Sequence, residues 1–208
     1  MAKLESTFKN MILSLGIICL LSATILAGVN NFTQEPIAKA KKDKLENAIR
    51  EVVPGFDNNP ASEMYKVGLA ESDTAIVYPA KKGDKLIGAA IETVSMKGFS
   101  GEIRILTGLT PEGKIINYAV LSHAETPGLG DKMDPWFKTD KNNQSIIDKS
   151  LQGVTLKLKK NGGDIDAITA ATITSNAFLD AVNKAYSALA NNSDAESGAT
   201  DASSGATN

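Results

Sequence analysis

Residues 162–175, GGDIDAITAATITS, decide how the chain is read. Within them Asp166, Ala167, Ile168, Thr169, Ala170, Ala171 and Thr172 run together, and Ser175 opens a segment with Phe178, Ala181, Val182, Ala185 and Leu189 at helical spacing. Small and hydroxyl side chains therefore sit where a loop becomes a helix. The first amides of a helix point at whatever lies beyond its end, and the helix dipole favours negative charge there. Small residues let a bulky anion approach the backbone. A plainer reading stands beside this one: Thr174 or Ser175 is an N-cap that starts a surface helix.

A second pattern precedes it. His123-Ala124-Glu125-Thr126-Pro127-Gly128-Leu129-Gly130 follows an apolar run and reads as a rigid polar loop. Proline fixes φ, and the glycines allow close approach. His123 beside Glu125 invites acid–base chemistry. No nucleophile stands nearby in sequence, and a lone histidine at a strand end is more often structural. Upstream, Lys97-Gly98-Phe99-Ser100-Gly101 is a glycine-bracketed loop without the lysine of a P-loop or a Rossmann spacing.

Strands are expected over residues 74–79, 86–94, 103–109 and 114–121, the last two joined by the turn Thr110-Pro111-Glu112-Gly113. Residues 154–158, VTLKL, read as a final strand. Trp136 and Phe137, within a polar stretch, either anchor that stretch to the core or stack on a flat ligand, and the core reading is preferred. Strands followed by a terminal helix give an α+β domain over residues 64–190.

The N-terminal part is different. Residues 11–29 carry no charge and are long enough to cross a bilayer, which takes about 20 apolar residues. Residues 1–10 precede this span as a short cytoplasmic N-terminus. Lysines lie on both sides of it, Lys3 and Lys9 before and Lys39, Lys41, Lys42 and Lys44 after, so charge does not set its orientation. A second helix is expected to begin at Pro36, a good first helical residue. Its stripe of Leu45, Ile49 and Val52 is stopped by Pro54-Gly55. Residues 30–63 are thus a membrane-proximal helix and linker, with lysines that face water or anionic lipid.

Composition narrows the function. The net charge of −2 leaves no nucleic-acid footprint. One cysteine, Cys19, and one histidine cannot build a disulfide, an iron–sulfur cluster or a zinc site, so a redox role would rest on an organic cofactor. No substrate-handling acid, base or metal set is visible, so no catalytic residue is assigned.

The Asp166-to-Thr172 segment resembles the flavinylation motif of FMN-binding domains: Asp, two free positions, Ser or Thr, Gly or Ala, then Ala-Thr. In that family a flavin transferase esterifies the FMN phosphate onto the last threonine. The resemblance implies covalent FMN at Thr172, Asp166 as recognition acid, and Thr169 and Ala171 within the motif; Ala170 stands where glycine is more usual. Glu125-Thr126-Pro127-Gly128-Leu129-Gly130 is similar to the matching loop in the G subunit of the Rnf complex and in the C subunit of sodium-pumping NADH:quinone reductase. It implies that Glu125, Thr126, Gly128 and Leu129 contact the flavin ring. The Gly98-to-Gly101 loop resembles the one entering the same fold.

The implied function is an electron relay, not an enzyme by itself, held by a single membrane span among other Rnf subunits. It would serve ferredoxin:NAD electron transfer coupled to sodium or proton movement, with the flavin domain on the extracytoplasmic side of the cell membrane. The quinone-reductase C subunit, a stand-alone flavoprotein and a membrane-anchored, non-redox binding module are the alternatives. Residues 191–208 read as a disordered low-complexity tail. They repeat the flavinylation pattern twice, ending at Thr200 and Thr207, and the repeat is read as compositional.

Overall fold

A computed structural model describes residues 7–69 and 73–201, with side chains to residue 191. The chain divides into two compact units, Met1–Lys44 and Leu45–Asn208.

The first unit is the greater part of helix α1 (Phe8–Val52), the one described helix long and apolar enough to cross a membrane by length and composition. Its apolar side chains, among them Leu13, Leu20 and Leu26, are exposed along the span. The hydroxyls of Ser14, Thr24 and Thr33 donate back to the carbonyls of Met11, Leu20 and Val29 at 3.0, 2.8 and 2.8 Å. Polar groups are thereby satisfied inside the helix itself, as an apolar surround requires.

Pro36 does not begin a new helix; it lies inside α1. Proline there removes one backbone bond and costs about 3 kcal/mol in an isolated helix. The Ala- and Lys-rich residues that follow, 38–46, are strong helix formers and carry the helix through. The expected stop is confirmed: α1 ends at Val52, and Gly55 turns the chain at φ +91°.

The second unit begins at Leu45, not near residue 64. Ala48, Ile49 and Val52 on the last turns of α1, with Val53, are buried against Tyr78, Ala90 and Leu106 on one face of a sheet. The approach is close: a Cβ on Gly108 would lie 3.0 Å from Val52 Cβ, which accounts for glycine near the C-terminal end of β4, an inner strand of the sheet (Gly101–Leu109).

That sheet is an antiparallel meander in the order β1-β2-β3-β4-β5. Its strands are β1 (Tyr65–Gly68), β2 (Thr74–Lys82), β3 (Lys85–Gly98), β4 (Gly101–Leu109) and β5 (Ile115–His123). Four of these match the expected strands, β2 to β4 with wider bounds and β5 shifted by one to two residues, and β1 is an addition to them. The Thr110-to-Gly113 turn forms as expected, closed by Gly113 N–H to Thr110 O at 2.9 Å with Gly113 at φ +80°.

After β5 come a 3₁₀ turn (Gly130–Lys132), a short α2 (Met133–Trp136), a second 3₁₀ turn (Lys159–Asn161) and α3 (Thr172–Asp201). Helix α3 covers the other sheet face. Its Phe178 stacks on Phe137, with ring centroids 4.4 Å apart, and meets Tyr118 edge-on at 4.8 Å. Phe137 is thus core, and Trp136 Nε1–H donates to Asp166 O at 3.0 Å.

Residues 154–158 form no strand. Their alternation is real, since Leu156 and Leu158 are buried. Backbone pairing is confined to one parallel bridge between Leu158 and Ile165; at Leu156 the partner is a side chain, with Asn183 Oδ1 accepting the Leu156 N–H at 2.9 Å and Asn183 Nδ2 donating to Leu156 O at 3.0 Å. An amide side chain on α3 makes the two bonds a neighbouring strand would make.

The tail also differs from expectation. Backbone through Asp201 is helical, so the heptad ending at Thr200 lies on helix. Residues 202–208, with Thr207, lie outside the described residues.

Candidate functional site

Helix α3 starts at Thr172, three residues earlier than the expected Ser175. A tight turn precedes it, with Ala171 N–H donating to Ile168 O at 3.0 Å and Ala170 at φ +62°. Ser175 is not the N-cap. Its hydroxyl donates to Ala171 O and accepts the Ile168 N–H, each at 2.9 Å, locking the turn from inside. The amides of Thr172, Ile173 and Thr174 find no backbone acceptor among the described residues. They are the free donors that a helix start offers to an anion.

These residues open onto a cavity of about 330 Å³. Its walls come from three places. The β3–β4 turn supplies Phe99, the loop after β5 supplies Glu125, Thr126, Leu129 and Gly130, and the start of α3 supplies Ala170 to Thr174. Phe99, Leu129 and Ile173 expose apolar side chains around it, at 67, 41 and 53 %. One end thus offers amides and the Thr172 hydroxyl, and the rim is apolar. This set suits a ligand with a phosphate at one end and a flat ring system at the other, and its volume lies in the range of small-ligand sites. FMN, with a phosphate at one end and an isoalloxazine ring at the other, fits this description.

Of the residues singled out in sequence, Thr172, Ala171, Glu125, Thr126 and Leu129 line the cavity. Gly128, at φ +78°, shapes the loop without lining it, and Thr169 is exposed outside it. Asp166 also lies outside the wall. Its carboxylate accepts the Asn143 N–H at 3.1 Å and pairs with Lys159 at 2.7 Å, and its own N–H donates to Asn143 O at 2.8 Å. The Lys159 ammonium, aided by the Asn143 amide, holds this carboxyl below the usual aspartate range. Asp166 thereby fixes the loop that leads into α3.

His123 is exposed, and its Nδ1 accepts the Glu125 N–H at 3.1 Å, so it shapes the loop. Phe99, Ile173, Gly130 and Thr174 join the wall without having been marked as site residues by the sequence. The glycine bracket around Phe99, the motif that ends at Gly130 and the N-cap candidacy of Thr174 were the available signals; nothing local marks Ile173. A larger hollow of about 690 Å³, lined by Glu63, Tyr65, Lys81 and Tyr186 among others, holds neither motif.

Comparison with known proteins agrees with this geometry. Residues 98–187 match the family described as FMN-binding domain, a span that starts at the β3–β4 turn and ends within α3. The chain is 33 % identical over 190 residues to the G subunit of the ion-translocating oxidoreductase complex of Shewanella amazonensis, covering 86 % of each. It is 34 % identical over 194 residues to the corresponding G subunit of Stutzerimonas stutzeri, covering 89 % of this chain and 82 % of that one. Against the Haemophilus influenzae G subunit the identity is 33 % over 184 residues, covering 86 % and 88 %. A cavity built where two flavin-type motifs meet, and similarity of this extent, place the chain in the family of ion-translocating oxidoreductase complex G subunits.

Proposed function

We propose that this protein carries FMN esterified through its phosphate to Thr172 and serves as an electron-relay subunit of a membrane-bound Rnf-type complex. The observation that carries the reading is the shared cavity: the Thr172 segment and the Glu125-to-Gly130 loop, more than forty residues apart in sequence, line one space. Bound FMN supplies one- and two-electron chemistry that no side chain here can supply. The protein's own work is to bind and orient. Amides of Thr172, Ile173 and Thr174 face the phosphate position, with the dipole of α3 behind them. Phe99, Leu129 and Ile173 give the ring an apolar collar, and Thr126 offers a hydroxyl at its edge.

The partners are the other subunits of the complex, a flavin transferase for maturation, and membrane lipid along α1. The overall reaction is ferredoxin:NAD electron transfer coupled to outward movement of sodium ions or protons, with the flavin domain on the extracytoplasmic side. The names of the related subunits support an ion-translocating oxidoreductase complex, and the apolar span of α1 supports its attachment to a membrane.

Intact-mass and peptide analysis of the full chain co-expressed with a flavin transferase tests the site. One added FMN, less water, is expected on the peptide that contains Thr172, and Thr172→Ala should abolish flavin fluorescence in a denaturing gel. An equally bright band from Thr172→Ala would overturn the assignment.

A further inference from the structure

Glu125 reads at first as a ring contact, but its carboxyl has other work. The side chain is only 4 % exposed. Oε1 accepts the Ser100 N–H at 3.0 Å, and Oε2 accepts the Thr174 hydroxyl. Ser100 sits in the β3–β4 turn and Thr174 in the first turn of α3, so one carboxyl joins all three walls of the cavity. Room for it is made by glycines. A Cβ on Gly98 would lie 2.7 Å from Oε1, and a Cβ on Gly130 would lie 2.8 Å from Oε2 and from the Thr174 hydroxyl.

We propose that Glu125 is a positioning residue that clamps the first turn of α3 to the β3–β4 turn and so aims Thr172 and the free amides into the cavity. The inference rests on the functional reading above. The first turn of α3 is held from inside by Ser175 and from the cavity side by Thr174. Fixing Thr174 sets the rotation of that turn about the helix axis, because successive residues are spaced about 100° apart. Thr172, two residues earlier, then has one direction. A buried carboxyl with both oxygens bonded is costly to disrupt, since removing it strands two donors. A misplacement of about 1 Å at a reacting group can cost on the order of 100-fold in rate.

The test uses full-length protein in detergent with three variants. Glu125→Ala removes the clamp. Thr174→Val removes one of its arms at nearly constant shape. Glu125→Gln keeps it, because the amide oxygen accepts from Ser100, the amide nitrogen donates to Thr174, and the threonine hydroxyl rotates to receive. The initial rate of covalent flavin incorporation is measured below each melting temperature. Glu125→Ala and Thr174→Val are expected to fall at least about 10-fold, and Glu125→Gln to recover most of the rate. Rates for Glu125→Ala within about 3-fold of wild type, or Glu125→Gln as slow as Glu125→Ala, overturn the clamp; the second result would assign the work to the carboxylate charge. Amide hydrogen exchange on the flavin-free chain reads the same contact independently. Faster exchange at Ser100 and Ser175 in Glu125→Ala, with the middle of α3 unchanged, is the expected result, and no change at either overturns the proposal. Wild type that takes up no flavin would sink the functional reading, while the exchange result would still decide the clamp.

Discussion

Ala170 offers a sharp test of how the turn before α3 is built. It holds φ +62°, in the left-handed region, and is solvent-exposed. An L-residue with a Cβ is strained there by about 1–2 kcal/mol, which glycine avoids. Glycine brings its own penalty, about 0.4–1 kcal/mol, because its unfolded chain has more freedom to lose. The first effect is larger, so Ala170→Gly should stabilise the domain by roughly 0.5–1 kcal/mol. For a domain of this size that is an increase of about 1–4 °C in Tm. The assay is thermal unfolding of the full chain followed by circular dichroism in the β-sheet region. Ala124→Gly is the control: that alanine is also exposed in a loop, and its φ is not positive. It should lower Tm slightly. If Ala170→Gly lowers Tm as the control does, the turn is not strained at this residue. The glycine usual at this position of the motif would then need an explanation other than backbone conformation.

Two more outcomes follow from the packing and the charges. Phe178 is fully buried between Phe137 and Tyr118, so Phe178→Ala should cost about 3–5 kcal/mol in urea unfolding, and a loss below about 1.5 kcal/mol would show that these rings do not organise the core. Asp180 is desolvated by burial, but hydrogen bonds from Lys97 at 2.7 Å and Ser95 at 2.8 Å, with Lys184 at 3.2 Å, outweigh this and hold its carboxyl below the usual range. A lowered folded value means the stabilisation is present above the unfolded aspartate pKa, near about 3.9, and is lost as pH falls through the folded value. The stability gap between wild type and Asp180→Asn should therefore shrink on acidification below about pH 4, whereas a gap constant from about pH 7 to 3 would refute the assignment.

What sequence could and could not announce follows from where each partner lies. The apolar span, the strands β2 to β5 and the amphipathic face of α3 carry periodic signals within their own residues, so they were legible. The stripe Leu45-Ile49-Val52 was legible too, but not what it packs on, since Gly108 and Leu106 lie some sixty residues on. The VTLKL segment had the period of a strand but pairs with backbone only in a single bridge, Leu158 to Ile165, while Asn183 on α3 takes the bonds at Leu156. Strand β2 runs to Lys82, past Pro79 where the expected strand ended. Its neighbour β1 pairs only as far as Val77, so the missing N–H falls on an edge that no strand pairs, where Asn58 Nδ2 donates to Pro79 O at 2.9 Å. Pro36 has the local chemistry of a helix start, but the helix formers after it carry α1 through. For the site, composition and resemblance pointed to Thr172 and the Glu125 loop. The resemblance implied a ring contact for Glu125; its hydrogen bonds to Ser100 and Thr174 could not be read locally, because those partners are 25 and 49 residues away.

The flavinylation pattern occurs three times in this chain, ending at Thr172, Thr200 and Thr207, so the pattern alone cannot distinguish among them. Backbone geometry separates the first two. Thr172 follows a tight turn with a left-handed residue and opens a helix, which leaves its own amide and the next two free. Thr200 lies in the helical run of α3, where each amide is given to the carbonyl four residues before. A phosphate ester at Thr172 would meet three unpaired donors and the positive end of a dipole. Asp166 adds to the difference, since its bonds to Lys159 and Asn143 fix the loop that delivers Thr172 to the cavity. What favours Thr172 is thus the junction in which the motif stands, with free amides on one side, an apolar collar on the other and a carboxyl holding the walls together.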